Sequence, residues 1–318
     1  MTGILINIQS CDDDLVKNTN RGDLLPKLSE YAIFQGNPAD LISNDEYKLY
    51  ELSSQLFTDY AEKQRLIKVP QGSRLSAIDN ALLDFPEGTT LVKTFFYYHD
   101  KGDLSKGKHL IETRLLIKLN TTWIAGTYVW NDNQTEATLV TSGLNKTINW
   151  IDAEGNGNVI SYRIPSKTEC ATCHNSNNSI IPIGPKARAL NYKVQRDNSL
   201  QNQLAYLSNA GILNPVSHTS FGSLPNYNDS TFSLEERARA YLEMNCAHCH
   251  SDNGFASDQR LRLDYGKDLH ESNLMSMKDN IIRKMESGEM PKIGTTLIDK
   301  EGLELIKNFI DSLKTHRQ

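Results

Sequence analysis

Two copies of the pattern CxxCH constrain this chain of 318 residues more than any other feature. They comprise Cys170, Cys173 and His174, and, 76 residues later, Cys246, Cys249 and His250. Two thiols at this spacing with a histidine directly after the second form the attachment signature of c-type haem. The thiols bond to the porphyrin vinyl groups and the histidine binds the iron. With 5 cysteines and 8 histidines in the chain, chance would give roughly 0.002 copies. The sequence therefore predicts two covalently bound haem c groups.

Zinc ribbons and redox-active dithiols also contain paired cysteines and are the alternatives to haem. Neither requires a histidine directly after the second cysteine, whereas both pairs here are followed by one. The two histidines therefore favour haem at both motifs.

The sequence suggests a second axial ligand for the second haem only. Met290 lies 40 residues after His250 and directly before Pro291, where it can supply a thioether to the opposite face of that haem. Such His/Met ligation raises the reduction potential and fills both axial positions. Three other methionines lack a following proline and are predicted to be core or surface residues: Met275, Met277 and Met285.

The second ligand of the first haem stays open at this point. The alternatives are no protein ligand or one of three histidines: His99, His109 and His218. His248, inside the second motif, is expected to point outward. If the first iron has an open position, it could bind a small molecule such as peroxide, nitric oxide or hydroxylamine.

Composition restricts the partners. The net charge of −5 and the pI near 5.9 argue against a nucleic-acid partner, which would require a basic face. A redox partner protein of unknown identity is expected instead. No run of 18 or more apolar residues occurs, so no transmembrane helix is predicted.

The N-terminal residues 1–25 are interpreted as a signal remnant and a polar tether. Haem c is attached outside the cytoplasm, so an export signal is expected. Cys11, preceded by Ile-Gln-Ser and followed by three aspartates, resembles a degenerate bacterial lipobox, in which the cysteine carries the lipid anchor. The alternative is a spare thiol in a tail. The expected location is the periplasm, or the outer membrane or cell surface of a Gram-negative bacterium as a lipoprotein.

Residues 26–211 are predicted to form a β-rich domain that carries the first haem. The pattern from Leu28 to Tyr60 is mostly helical. β-branched and aromatic runs with short polar separators then predict an antiparallel sheet, with strands at Leu91–His99, Leu110–Leu119, Thr122–Trp130, Ala137–Thr141 and Val159–Ile164. A capping box at Ser166 predicts a helix from Lys167 that carries the first motif, and Leu200–Ser208 resembles a short helix.

Residues 212–231 are rich in Pro, Gly, Ser and Asn and are predicted to be a linker. Residues 232–318 are predicted to form an all-α domain that carries the second haem. A capping box at Ser233 opens its first helix, and its last helix runs from Lys300 to Leu313. The fold class predicted for the whole chain is α+β, with the antiparallel sheet first and the helical domain after it.

The C-terminal part resembles class I cytochrome c in its order of helix, CxxCH, loop, Met-Pro and final helix. The longer chain resembles a family of bacterial dihaem c-type cytochromes of poorly defined role. The segments that carry this likeness are Tyr50–Ala61, Ile111–Leu116, Tyr128–Asn131, Pro165–Ser166, Cys170–Asn175, Asn202–Ala205, Arg237–Leu242 and Cys246–His250. The likeness implies haem c and electron transfer.

A sheet followed by CxxCH is also similar to the β-sheet c-type cytochromes, which include cytochrome c-prime-beta and hydroxylamine-oxidising enzymes whose haem is cross-linked to a lysine. This resemblance would make Lys93 or Lys118 a cross-link candidate, and a surface lysine is the alternative for each.

Three functions are compatible with these motifs. The first is a dihaem cytochrome that transfers single electrons outside the cytoplasm. The second is a redox enzyme with peroxidase-like, hydroxylamine or nitric oxide chemistry, in which the first haem has an open position and the second haem relays electrons. A haem-based gas sensor is a third possibility. Whether the protein is an enzyme stays open from the sequence.

Overall fold

A computed structural model describes residues 23–196 and 198–315. Cys11 and the predicted tether up to residue 22 lie outside the described residues. The chain is a mixed α+β protein built on an antiparallel sheet with helices, which confirms the predicted fold class.

A six-stranded antiparallel sheet forms the centre of the first half of the chain. Its strands lie side by side in sequence order, so each strand pairs with the next one along the chain. They are β1 (Lys48–Leu49), β2 (Glu62–Lys68), β3 (Thr90–Tyr98), β4 (Lys108–Leu119), β5 (Thr122–Trp130) and β6 (Ala137–Val140). A separate hairpin follows, made of β7 (Leu144–Ile151) and β8 (Gly157–Ile164).

Side chains alternate across the sheet, so each strand contributes to two different cores. One face carries Val92, Phe96 and Tyr128, which pack with Leu28 and Tyr47 from the segment before the sheet. The opposite face of β3 carries Leu91, Lys93, Phe95 and Tyr97. Phe95 and Tyr97 pack against the β7–β8 hairpin, whereas Leu91 belongs to a core shared with the second half of the chain.

Six α-helices lie among the described residues. They are α1 (Lys167–Cys173), α2 (Ala187–Leu190), α3 (Gln203–Asn209), α4 (Leu234–Asn245), α5 (Leu274–Glu286) and α6 (Lys300–Thr315). Two short hairpins lie between them: β9 (Asn175–Ser176) with β10 (Ser179–Ile180), and β11 (Lys193–Arg196) with β12 (Ser199–Asn202). No helix of the described part is long and apolar enough to cross a membrane.

Both predicted capping boxes are present. Ser166 and Ser233 each accept a hydrogen bond from the backbone N–H three residues on, and the glutamates at those positions accept one in return. The last helix begins at Lys300 as predicted and buries Ile306, Phe309 and Ile310.

The prediction of a mostly helical segment from Leu28 to Tyr60 is wrong. It contains no α-helix but two short 3-10 turns, at Leu28–Tyr31 and Pro38–Asp40, and strand β1. The residues after these turns, Ala32 and Leu41, have positive φ angles that end them. Tyr31 and Tyr47 of this segment instead pack against one face of the sheet. Strands β2 and β7 were not predicted at all.

A single apolar core joins both halves of the chain. It contains Leu91 and Trp123 from the sheet together with Tyr241 and Phe309 from α4 and α6. Residues 212–231, predicted to be a linker, contribute buried side chains to the same core, among them Leu213 and Leu224. This core holds the two cysteine motifs in one packed structure.

Candidate functional site

The first motif lies on a short helix that follows the β7–β8 hairpin. Helix α1 carries Cys170 and Cys173 three positions apart, so both thiols lie on one face. Arg163 at the end of β8 pairs with Glu169 at 3.0 Å and so fixes the start of the helix. The Sγ atom of Cys170 lies 4.0 Å from the Thr127 hydroxyl on β5, which places this face against the sheet.

His174 ends this helix with its imidazole oriented by the backbone. Its Nδ1 lies 2.8 Å from the carbonyl oxygen of Ile181. Burial, together with the charges of Lys93, Arg114 and His248, lowers the pKa of His174 to about 3, against the opposing effect of the hydrogen bond to Ile181. The ring is therefore neutral at physiological pH. With Nδ1–H donating to a carbonyl, Nε2 keeps its lone pair, which is the tautomer that a metal-ligating histidine requires.

The second motif starts where helix α4 ends. Cys246 is the C-terminal cap, and its carbonyl oxygen accepts hydrogen bonds from the backbone N–H groups of Cys249 and His250. Burial lowers the pKa of His250, so this ring is also neutral at physiological pH. The buried Nδ1 atoms of His248 and His250 have no hydrogen-bond partner among the described residues.

The two motifs meet through their second cysteines. The thiol sulfurs of Cys173 and Cys249 and a ring nitrogen of His248 all lie within 4.8 Å of one another. The contact between the two thiols raises the pKa of Cys173 and lowers that of Cys249. Elements that are 76 residues apart in the chain are therefore in direct contact.

Each motif lines its own cavity. The first cavity, called the sheet cavity, is lined by Cys170, Cys173 and His174. Its volume is about 1080 Å³, including the solvent-open space at its entrance. The helix cavity, of about 810 Å³ with its mouth, is lined by the cysteines and histidine of the second motif. Five residues line both cavities: Cys173, Asn245, His248, Pro291 and Ile293. The two cavities therefore share a wall.

A row of cationic side chains crosses the sheet, and two of them, Lys93 and Arg114, line the sheet cavity. The antiparallel register places Arg65, Lys93 and Arg114 side by side on β2, β3 and β4. Arg114 makes a bidentate ion pair with the fully buried Glu112, at 2.5 and 2.9 Å. The hydroxyl of Tyr162 donates to the same carboxylate at 2.8 Å. Burial would lower the pKa of Arg114, but Glu112 reverses this effect and raises it.

The helix cavity brings Met290 to the same space as His250, and both residues line it. Met285, on the last turn of α5, lines it as well and is buried. Met275 and Met277, the other two methionines considered from the sequence, do not line this cavity. Of the three alternative methionines, only Met285 therefore remains as a rival to Met290 for the position of second axial ligand.

The loop after Met290 is anchored to the sheet region. The buried carboxylate of Asp59 accepts hydrogen bonds from the backbone N–H groups of Thr296 and Leu297 and from the Thr296 hydroxyl, at 2.8–2.9 Å. This contact positions one wall of both cavities, because Pro291 and Ile293 belong to the same loop.

Replacing Asp59 by asparagine is expected to lower the free energy of unfolding by about 1–2 kcal/mol, since one acceptor oxygen and the charge are lost from a buried cluster. Asparagine tolerates the positive φ of 49° at this position, so backbone strain does not contribute. Urea unfolding followed by circular dichroism measures the change. The exposed Asp258→Asn variant is the control and should change stability by less than about 0.5 kcal/mol. Equal stability of the two variants would contradict the anchoring role.

Several candidates from the sequence lie elsewhere. The rings of His99 and His109 lie near each other, tilted by 57° with centroids 6.4 Å apart, and His218 is exposed; none of the three lines the sheet cavity. Lys118 lies over the Trp123 ring, at 5.5 Å from its centroid, and is not among the lining residues either.

The expectation that His248 points outward is wrong. Its ring lies in the wall between the two cavities, with Nδ1 buried. The sequence could not predict this position, because the ring of His248 lies against Cys173 of the other motif. Lys93, in contrast, lines the sheet cavity.

The donor sets fit haem better than either alternative. A structural zinc site uses four ligands, whereas the described residues bring together only three, Cys173, His248 and Cys249. A redox-active dithiol requires a thiol of lowered pKa at its attacking cysteine. Burial instead raises the pKa of Cys170, and it raises that of Cys246 to about 12. Two cysteines and a neutral histidine beside a large, mostly apolar cavity suit a covalently held porphyrin.

Comparisons with protein-family models, with curated proteins and with solved structures found no match.

Proposed function

We propose that this protein is a dihaem c-type cytochrome that transfers single electrons between its two haems and an extracytoplasmic redox partner. The observation that carries the proposal is the shared wall between two cavities, each lined by the residues of one CxxCH motif. Haem iron changes reversibly by one electron, which is the chemistry that the group would supply in both cavities.

The residues have separate roles in this proposal. The four motif cysteines hold the porphyrins covalently, and His174 and His250 bind the two irons. The carbonyl of Ile181 orients His174, and Met290 supplies the thioether in the helix cavity. The contact between Cys173 and Cys249 brings the two attachment points together, so that electrons need not cross a layer of protein.

The arrangement of the last 86 residues supports a class I cytochrome c domain around the second haem. Helices α4 and α6 contact each other at Gly302, where a larger side chain would collide with the ring of Tyr241. The motif, α5 and the Met290 loop lie between them in the chain. We also propose a periplasmic, outer-membrane or cell-surface location in a Gram-negative bacterium, with Cys11 as the lipid-anchored residue.

The full chain, produced with c-type haem maturation, is expected to carry two covalent haems by intact mass and by pyridine haemochrome absorbance. Cys170→Ala/Cys173→Ala and Cys246→Ala/Cys249→Ala should each carry one. A zinc site would give a different pattern: loss of metal only when Cys173 or Cys249 is replaced, and no haem in any variant. That pattern would overturn the proposal. The same mass spectra of natively purified protein report whether Cys11 carries lipid.

The shared wall makes a second measurement possible. The electron paramagnetic resonance spectrum of the oxidised two-haem protein is expected to differ from the sum of the spectra of the two single-haem variants, because neighbouring irons interact magnetically. A spectrum equal to that sum would contradict direct contact between the two sites.

A further inference from the structure

We propose that Lys93 supplies the second axial ligand to the iron of the haem held by His174. This inference rests on the proposed function and answers the question that the sequence left open for the first haem. It assigns to the side-chain amine of a strand residue a role that none of the three candidate histidines is placed to fill.

The first observation is the position of Lys93. It lies at the centre of the sheet, on β3, with Arg65 and Arg114 as its direct neighbours on β2 and β4. Its side chain lines the same cavity as His174. The two side chains therefore border the same space.

The second observation is that Lys93 has no anionic partner among the described residues. Arg114 is paired with Glu112, and Arg65 donates to the side-chain oxygen of Gln55 at 3.0 Å. Lys93 has no hydrogen bond or ion pair with any described residue, and its Nζ lies over the Phe95 ring, 4.7 Å from the centroid. A partly buried ammonium without a counter-ion is costly, and binding iron as the neutral amine would remove that cost.

The third observation is that the surroundings favour the neutral amine. Burial lowers the pKa of Lys93 well below its ordinary value, and the charges of Arg65, Lys63 and Arg114 lower it further. A neutral amine has a lone pair that can bind iron, whereas an ammonium has none. Coordination would keep the proton off the amine and remove the cost of the buried charge.

Tyr50 also lines the sheet cavity, but burial raises the pKa of its phenol to about 12, which disfavours the phenolate that binds iron. Two further ligand-type side chains of the lining, Glu169 and His248, are engaged elsewhere. Glu169 belongs to the capping box of α1 and pairs with Arg163. Arg114 has no lone pair to offer. His248 lies against the sulfurs of Cys173 and Cys249, at the edge where the haem would be attached.

The test uses the haem-loaded full chain and the Cys246→Ala/Cys249→Ala background, which isolates the first haem. With Lys93 present, this iron is expected to be wholly low-spin and unchanged by cyanide at concentrations that saturate an open haem. In Lys93→Ala it should become high-spin and bind cyanide, with the haem count unchanged at one. Lys118→Ala, a lysine of the same sheet that does not line the cavity, should leave the spectrum unchanged.

A second variant distinguishes the loss of the ligand from a loss of structure. Lys93→Met keeps a side chain that can bind iron, so it should stay low-spin and gain a methionine-to-iron absorption near the red end of the ferric spectrum. Three results would overturn the proposal: a high-spin first haem in the unmodified chain, a low-spin haem in Lys93→Ala, or a Lys93 peptide covalently joined to the porphyrin. Absence of haem from the chain would instead refute the proposed function.

Discussion

Replacing Glu112 by alanine is expected to destabilise the protein by about 3–5 kcal/mol, because it leaves the mostly buried Arg114 guanidinium without its counter-ion. Glu112 is fully buried and receives two hydrogen bonds from Arg114 and one from Tyr162. All three hydrogen bonds, from these two residues, would be lost at once. The cost arises mainly from the charge that stays behind, since a mostly buried and unpaired cation is poorly solvated.

Urea unfolding monitored by circular dichroism measures this loss. Two variants make the result interpretable. Glu62→Ala removes a carboxylate from a half-exposed pair with Lys101 and should cost less than about 1 kcal/mol. The double variant Glu112→Leu/Arg114→Met removes both charges and should recover much of the stability lost in Glu112→Ala. A single-variant loss near that of Glu62→Ala would mean that Arg114 finds another partner.

This ion pair also illustrates what the sequence could and could not predict. Strands β3, β4 and β5 were predicted within two residues at each end, because β-branched and aromatic residues dominate them. Strand β2 was missed, since its sequence contains Lys63 and Arg65 and resembles a polar loop. Arg65 is nevertheless buried and Lys63 partly buried, because both are paired with β3 in the interior of the sheet, and a local pattern carries no information about such pairing.

For the helices too, some features could be predicted from the sequence and others could not. The capping boxes at Ser166 and Ser233 are local chemistry, and both helix starts were predicted correctly. The segment from Leu28 to Tyr60 was assigned the wrong structure because its tyrosines have a spacing close to helical. Tyr31 and Tyr47 pack on a sheet face that comes later in the chain, so tertiary contacts decide their conformation.

For the candidate site, the residues of each motif could be identified from the sequence because they lie within five consecutive positions. Their mutual arrangement was not. Cys173 and Cys249 meet only after the two halves of the chain share one core. Lys93 precedes His174 by 81 residues, and only the register of the sheet places it in the cavity of His174.

Replacing Met290 by alanine is expected to abolish the methionine-to-iron absorption near the red end of the ferric spectrum and to lower the reduction potential of the second haem. The thioether favours Fe(II) over Fe(III), so its loss shifts the potential downward by an amount on the order of 0.1 V, within the range of about 0.8 V that axial ligands set. Spectroelectrochemistry in the Cys170→Ala/Cys173→Ala background measures both effects on this haem alone.

Met285 is the main alternative to Met290 as the ligand, and a substitution of Met285 therefore provides the control for this prediction. It is buried and lines the same cavity as His250, so position alone does not exclude it as the ligand. Met290, however, lies on the loop that Asp59 anchors, whereas Met285 lies on the last turn of α5 and packs with the core. Met285→Leu should therefore keep both the absorption and the potential. Loss of the absorption in Met285→Leu but not in Met290→Ala would reverse the assignment of the ligand while leaving the second haem in place.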